Sequence, residues 1–164
     1  MEVPGAYELL QSLREAGLAI GIVTRNCREV SEELLAKGRL THDALISPDD
    51  VEKTKPDPEH IHAALAALSH NGDRGAAVMV GDHWMDVLAG ARAGCRTVGL
   101  LRGRDASWFR RAVPDTMVDS VADLVPLFAQ AHGAITRRTL MGMAGGALLA
   151  GAPTIGGKAA PLSD

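Results

Sequence analysis

Two carboxylates set four residues apart follow the apolar run Ala77–Val80, where the sequence reads Gly81-Asp82-His83-Trp84-Met85-Asp86. A strand ending in Gly-Asp and passing straight into a helix leaves the first carboxylate at the sheet edge. The second lies one helical turn on and faces the same way. Two hard oxygen ligands in that position suit Mg²⁺, which takes one or two protein carboxylates and keeps several waters. The structural alternative is that Asp82 caps the helix and Asp86 stabilises its positive end.

Two further features could act on an anion. The apolar run Leu18–Val23 ends in Thr24-Arg25-Asn26, where a hydroxyl beside free backbone N–H groups suits a phosphate oxygen. The alternative there is a helix-capping threonine. In Lys53-Thr54-Lys55-Pro56-Asp57-Pro58, Pro56 restricts Lys55 to an extended conformation and a helix starts directly after it. A lysine fixed at the mouth of a sheet can neutralise a transferring phosphoryl group. Lys53, with no proline beside it, is the weaker candidate, and a solvated loop lysine is the default for either.

The elements that must position these groups alternate between short apolar runs and amphipathic segments, as βα units do. Leu9, Leu10 and Leu13 share one face of a helix over 5–16, which ends at Gly17. Strands are predicted at 18–23, 44–47, 77–80 and 96–100, and helices at 28–37, from Asp57 onward and at 85–93. Ser120 and Asp123 form a capping box for a last helix reaching about residue 131. The expected fold is α/β, a Rossmann-like parallel sheet with helices on both faces, which binds ligands at the C-terminal ends of its strands.

Composition limits the function classes. A net charge of −3 and an aromatic content of 3% provide neither a basic field nor stacking platforms for nucleic acid. Cys27 and Cys95 make no disulfide framework, which fits a reducing cytoplasm, and Cys27 is expected to be a buried or neutral cysteine, with a reactive thiol as the alternative. His60 and His62, two apart on a helix, point apart and form no metal pair. His83 and Trp84 are expected to pack in the first turn of their helix, with substrate contact as the alternative.

Taken together, apolar strand–Thr24, Lys55-Pro-Asp-Pro and strand–Gly-Asp82-x-x-x-Asp86 resemble the second, third and fourth motifs of the haloacid dehalogenase (HAD) superfamily. The flanking stretches Gly21–Asn26, Val80–Asp82 and Ala89–Cys95 are similar too, and the likeness covers roughly residues 3–130, nearest the phosphoglycolate-phosphatase-like branch. A response-regulator receiver would share a parallel sheet and a Lys-Pro, but its acidic residues precede the threonine and lysine. The HAD resemblance implies that Thr24, Arg25, Asn26 and Lys55 bind the phosphoryl group of a small phosphorylated metabolite. It implies catalytic roles for Thr24, Lys55 and Asp82, and Mg²⁺ held by Asp82 with Asp86 supporting the metal or its waters. The reaction implied is hydrolysis of a phosphomonoester through an aspartyl-phosphate.

The family's first motif, Asp-x-Asp-x-Thr/Val at the end of a central strand, has no counterpart before Thr24, because the first aspartate in the chain is Asp43. That strand would stand between those ending at Thr24 and Gly81, so its loss is expected to leave two rows of unpaired backbone groups. The expectation is an N-terminally incomplete HAD core over 1–132, inactive as given. The alternative is a non-catalytic HAD-like domain that binds phosphate or a protein. Thirty-one residues separate Thr24 from Lys55, enough for one helix and one strand but no inserted cap domain.

Residues 133–164 read as an appended tail, with 19 uncharged residues from Thr139 to Gly157. Thr136-Arg137-Arg138-Thr139-Leu140-Met141 and the Gly/Ala-rich run after it are similar to a twin-arginine export signal, displaced from its usual N-terminal place. The run is short, rich in glycine and broken by Pro153, which argues against a membrane anchor.

Overall fold

The computed structural model describes residues 4–129 and 139–142. Its elements in chain order are α1 (Ala6–Glu15), β1 (Ala19–Val23), α2 (Arg28–Lys37), β2 (Ala44–Ile46), α3 (Glu59–Ala67) and β3 (Val78–Gly81). They continue with α4 (Trp84–Arg92), β4 (Arg96–Leu100), β5 (Thr116–Val118), α5 (Leu124–Ala129) and β6 (Thr139–Gly142). Every strand pairing is parallel, and the order across the sheet is β2-β1-β6-β3-β4-β5.

The strands read as continuous apolar runs because both faces of the sheet are covered. Alternate residues serve opposite sides. Ile20, Ile22, Val78, Val80, Val98 and Leu100 pack with Leu9, Leu10 and Leu13 of α1 and with Leu124 and Phe128 of α5. Met79 and Val23 face the other way, against Ile61, Ala64 and Leu65 of α3 and Ala89 of α4. Full burial of each such leucine contributes roughly 1.5–3 kcal/mol relative to exposure. On α1 the apolar face settles which side docks, since Leu9, Leu10 and Leu13 are buried while Tyr7 is exposed.

Helix α4 lies especially close to the sheet. A Cβ at Gly90 would stand 2.6 Å from Met79 Cβ and 3.1 Å from Thr97 Cγ2, so only glycine permits this approach. That is the physical content of the small-residue stretch after Asp86.

The expected gap between β1 and β3 is absent. Thr139–Gly142 fills it as β6, with Leu140 level with Ile20 on one side and Val78 on the other. The unpaired backbone rows anticipated there therefore find partners, and four residues of the segment read as an appended tail belong to the sheet. The remainder of the twin-arginine-like segment lies outside the described residues. β5 is also additional to the predicted strands. It is only three residues long and partly exposed, so it lacks the apolar run that marks the others. No helix among the described residues is long and apolar enough to cross a membrane.

Candidate active site at the C-terminal strand edge

The last residues of β1 and β3 and the loop before α3 converge on one edge of the sheet. Thr24, immediately after β1, is fully buried; its N–H donates to Ile46 O (2.9 Å), and its Oγ1 accepts from Asn26 N–H (3.0 Å). The threonine thus forms a local turn and does not cap α2, whose N-cap is Cys27. Arg25 and Asn26 are exposed, with Arg25 Nη1 donating to Met85 Sδ (3.5 Å) at the start of α4.

Lys55 is brought to the same edge and buried. Its Nζ donates to Val23 O at 3.0 Å and lies 3.2 Å from Asp86 Oδ1. The Lys55–Pro56 bond is cis, and Asp57 Oδ1 accepts from Glu59 N–H (3.0 Å) where α3 begins. Burial pushes the Lys55 ammonium down and the Asp86 carboxyl up from their ordinary values, and their mutual attraction opposes both shifts. Lys53, by contrast, is exposed.

The helix cap at α4 falls one residue later than the structural alternative placed it. His83, not Asp82, is the N-cap: His83 Nδ1 accepts from Met85 N–H (3.3 Å) and Asp86 Oδ2 accepts from His83 N–H (3.2 Å), a capping box. Asp86 therefore spends one oxygen on the cap and the other on Lys55. Asp82 stays clear of the helix, with Oδ2 accepting from Arg102 Nη1 (3.1 Å) and Arg104 Nη1 4.0 Å away. Its Oδ1 has no hydrogen-bond partner among the described residues. One free hard oxygen, with a second carboxylate in the next helical turn, fits a divalent cation that keeps most of its waters. No group of three or more His, Cys, Asp or Glu that could hold a metal occurs among the described residues.

A buried hydroxyl, a buried lysine and a partly exposed carboxylate thus meet at one strand edge. Residues 1–100 match the haloacid dehalogenase-like hydrolase family. The chain belongs to that family. It is 34% identical over 137 residues to "Pyrophosphatase PpaX" of Bacillus mycoides (strain KBAB4), a match covering 80% of this chain and 62% of the relative. It is 35% identical over 133 residues to the same-named protein of Bacillus cereus (strain Q1), covering 78% and 60%. Among solved structures, a hydrolase from Pseudomonas syringae superposes with a TM-score of 0.69 at 29% identity, covering 78% of this chain and 60% of that one. CbbY from Rhodobacter sphaeroides in complex with phosphate superposes with a TM-score of 0.63 at 25% identity, covering 74% and 55%. This HAD-like chain thus spans about three-fifths of the length of the curated relatives it matches.

The structure brings Thr24, Lys55, Asp82 and Asp86 to the same edge, as the motif order implies, with Arg25 and Asn26 on its exposed side. Of the two states expected for Cys27, buried or neutral, the structure excludes burial, since the residue is exposed; Cys95 is buried and its thiol is pushed up to about 12 by burial. His60 is buried and His62 faces Arg74 (3.1 Å), so the two imidazoles do point apart. Sequence reasoning missed Arg102, Arg104 and Trp108. Trp108 Nε1–H donates to Asp82 O (2.8 Å), as does Arg104 Nη1 (3.1 Å). Their only sequence signal is a dense run of Arg and Trp directly after a strand end.

Proposed function

We propose that this chain forms the phosphoryl-binding and metal-binding part of a HAD-type phosphohydrolase site for a small phosphorylated metabolite. The buried Lys55, held on Val23 O and Asp86 beside Thr24, carries the proposal. A lysine removed from water at that edge offers a positive charge to an anion and little to anything else. Thr24, with the exposed Arg25 and Asn26, would bind the phosphoryl oxygens. Asp82 would hold Mg²⁺ through its free oxygen, with Asp86 keeping Lys55 in place and supporting the metal's waters. Bound there, Mg²⁺ would neutralise charge on the phosphoryl group. The names of the relatives support pyrophosphate as a substrate class, alongside the phosphoglycolate-like phosphomonoester that the motifs imply.

The aspartate nucleophile of the family reaction has no counterpart at the central strand. β6 reads Thr-Leu-Met-Gly, and no Asp or Glu occurs between Asp123 and Asp164. This observation favours the second reading for these 164 residues, a HAD-like domain that binds phosphate without turning it over. Titration of inorganic phosphate with and without Mg²⁺ tests the proposal. Thr24→Val is expected to weaken phosphate binding about tenfold, and Asp82→Asn to abolish any tightening by Mg²⁺. Phosphate binding unaffected by both changes refutes it.

A further inference from the structure

Nothing in Lys55 itself favours the place it occupies. Burying an ammonium costs hydration, and ordering a lysine costs rotamer freedom, so the loop that carries it has to be held. The bonds that hold it centre on Glu59, in the first turn of α3 and outside the site described above. We propose that Glu59 is a positioning residue for Lys55. Its carboxylate closes the 52–59 loop on itself, and that closure delivers the ammonium to the phosphoryl edge. The consequence for phosphate rests on the phosphoryl-site reading above; the placement of the ammonium does not.

Glu59 Oε1 accepts from Glu52 N–H (2.9 Å), and Oε2 accepts from Lys53 N–H (3.2 Å). Successive backbone N–H groups converging on one anion form the concavity by which a chain holds negative charge. Here the anion belongs to the chain itself and ties residues 52 and 53 to the start of α3. Lys55 and Pro56 stand in the middle of the loop so closed, and Asp57 N–H donates to Thr54 O (3.0 Å) around them. Glu59 N–H donates in turn to Asp57 Oδ1 (3.0 Å), which fixes the helix start that carries the carboxylate. From outside the loop, Arg92 Nη1 donates to Pro56 O (3.2 Å). Helix α4 thus meets the loop at both ends, Asp86 on Lys55 and Arg92 on Pro56.

A glutamate in the first turn of a helix also has a plainer use, since its charge complements the positive end. That use needs only a negative charge, whereas loop closure needs two acceptor oxygens at the right reach. Substitution separates the two. Glu59→Asp keeps the charge but draws the oxygens back by one methylene. Glu59→Gln keeps the reach but leaves one acceptor and turns an NH₂ donor toward a backbone N–H. The sign of the effect on an anion differs as well. Removing a negative charge near a phosphoryl site strengthens anion binding by charge alone, whereas releasing Lys55 weakens it.

The placement is read from the lysine ammonium signals in a ¹H–¹⁵N spectrum of the full chain, and its consequence from calorimetric titration of inorganic phosphate. Lys37 and Lys53 are exposed and exchange their ammonium protons with water, whereas the Lys55 side chain is fully buried. Lys55 should therefore give a protected signal, assigned by its absence in Lys55→Arg. Glu59→Asp and Glu59→Gln are each expected to lose that signal and to bind phosphate about tenfold more weakly. Glu8→Gln, which removes the same charge from the first turn of α1, should leave both readouts unchanged. Glu59→Asp, with its charge at the helix start retained, carries the test if Glu59→Gln melts below the assay temperature. A native spectrum without a protected Lys55 ammonium overturns the proposal, as does either readout staying native in both Glu59 variants. A native chain that shows the protected ammonium but binds no phosphate overturns the phosphoryl-site reading and leaves the positioning in place.

Discussion

Lys55 Nζ stands 3.2 Å from Asp86 Oδ1 with both side chains buried, and this pair joins the loop before α3 to the first turn of α4. Removing one partner strands the other charge in the interior, whereas removing both does not. Lys55→Met is therefore expected to destabilise the fold by about 3 kcal/mol. The double variant K55M/D86L should lose less than Lys55→Met alone. Urea unfolding of the single and double variants measures the difference, and equal losses would mean that the pair is not coupled.

Glycine carries the close approaches around this pair. A Cβ at Gly81 would overlap the Asp86 side chain, and one at Gly90 would overlap Met79. Gly81→Ala and Gly90→Ala are each expected to lower stability by about 1–3 kcal/mol through overpacking. Gly72→Ala, with nothing within 4 Å of its added Cβ, should be neutral or slightly stabilising. Thermal unfolding of the three variants separates these outcomes, and similar midpoints for all three would contradict the packing described.

The sheet makes a separate demand on β6. A proline at Leu140 places a residue without an N–H in a strand paired on both sides. Leu140→Pro should destabilise the whole domain by about 3 kcal/mol or more. An unfolding midpoint equal to that of the native chain would show that 139–142 does not belong to the sheet.

Two groups that contribute to the acid side of the stability profile are His60 and Asp50. Burial holds His60 below its ordinary imidazole value; neither ring nitrogen is hydrogen-bonded, the Ser47 backbone offering only a contact outside ordinary geometry. Its neutral form is favoured in the fold, so its contribution is complete above about pH 6.5 and is lost as pH falls. Partial burial pushes the Asp50 carboxyl up, but Arg28 and the Ser47 N–H and hydroxyl outweigh it and hold it at about 2. That contribution is complete above about pH 4 and is lost toward pH 2. Urea midpoints from pH 8 to 2 should fall in two steps. His60→Phe is expected to flatten the first and Asp50→Asn the second.

The four strands that read as buried apolar runs were legible because burial on both faces leaves a continuous signal. The placement of Thr24, Lys55 and Asp82 at the sheet edge was legible because each stands beside a strand end or a proline, and that of Asp86 because it falls one helical turn after Asp82. β5 was not, since three residues with partial exposure carry no period. β6 was not, because Thr-Leu-Met-Gly is only four residues long and runs directly into a Gly/Ala-rich stretch, so its place between β1 and β3 depends on tertiary pairing. His83 packs at the first turn of α4 as expected, but its capping role was not legible, because that role is usually taken by Ser, Thr, Asp or Asn. Arg102 and Arg104 lie in an irregular loop, where position depends on tertiary contact with Asp82 and Trp108 and not on pattern.

The central claim is that these residues hold a phosphoryl-binding edge without the nucleophile of the family reaction. Hydrolysis of p-nitrophenyl phosphate by the purified chain, with and without Mg²⁺, tests it most directly. The account expects no release of nitrophenolate above the buffer rate in either condition. Mg²⁺-dependent turnover that is abolished by Asp82→Asn would contradict it, since a nucleophile would then have to reside within the chain.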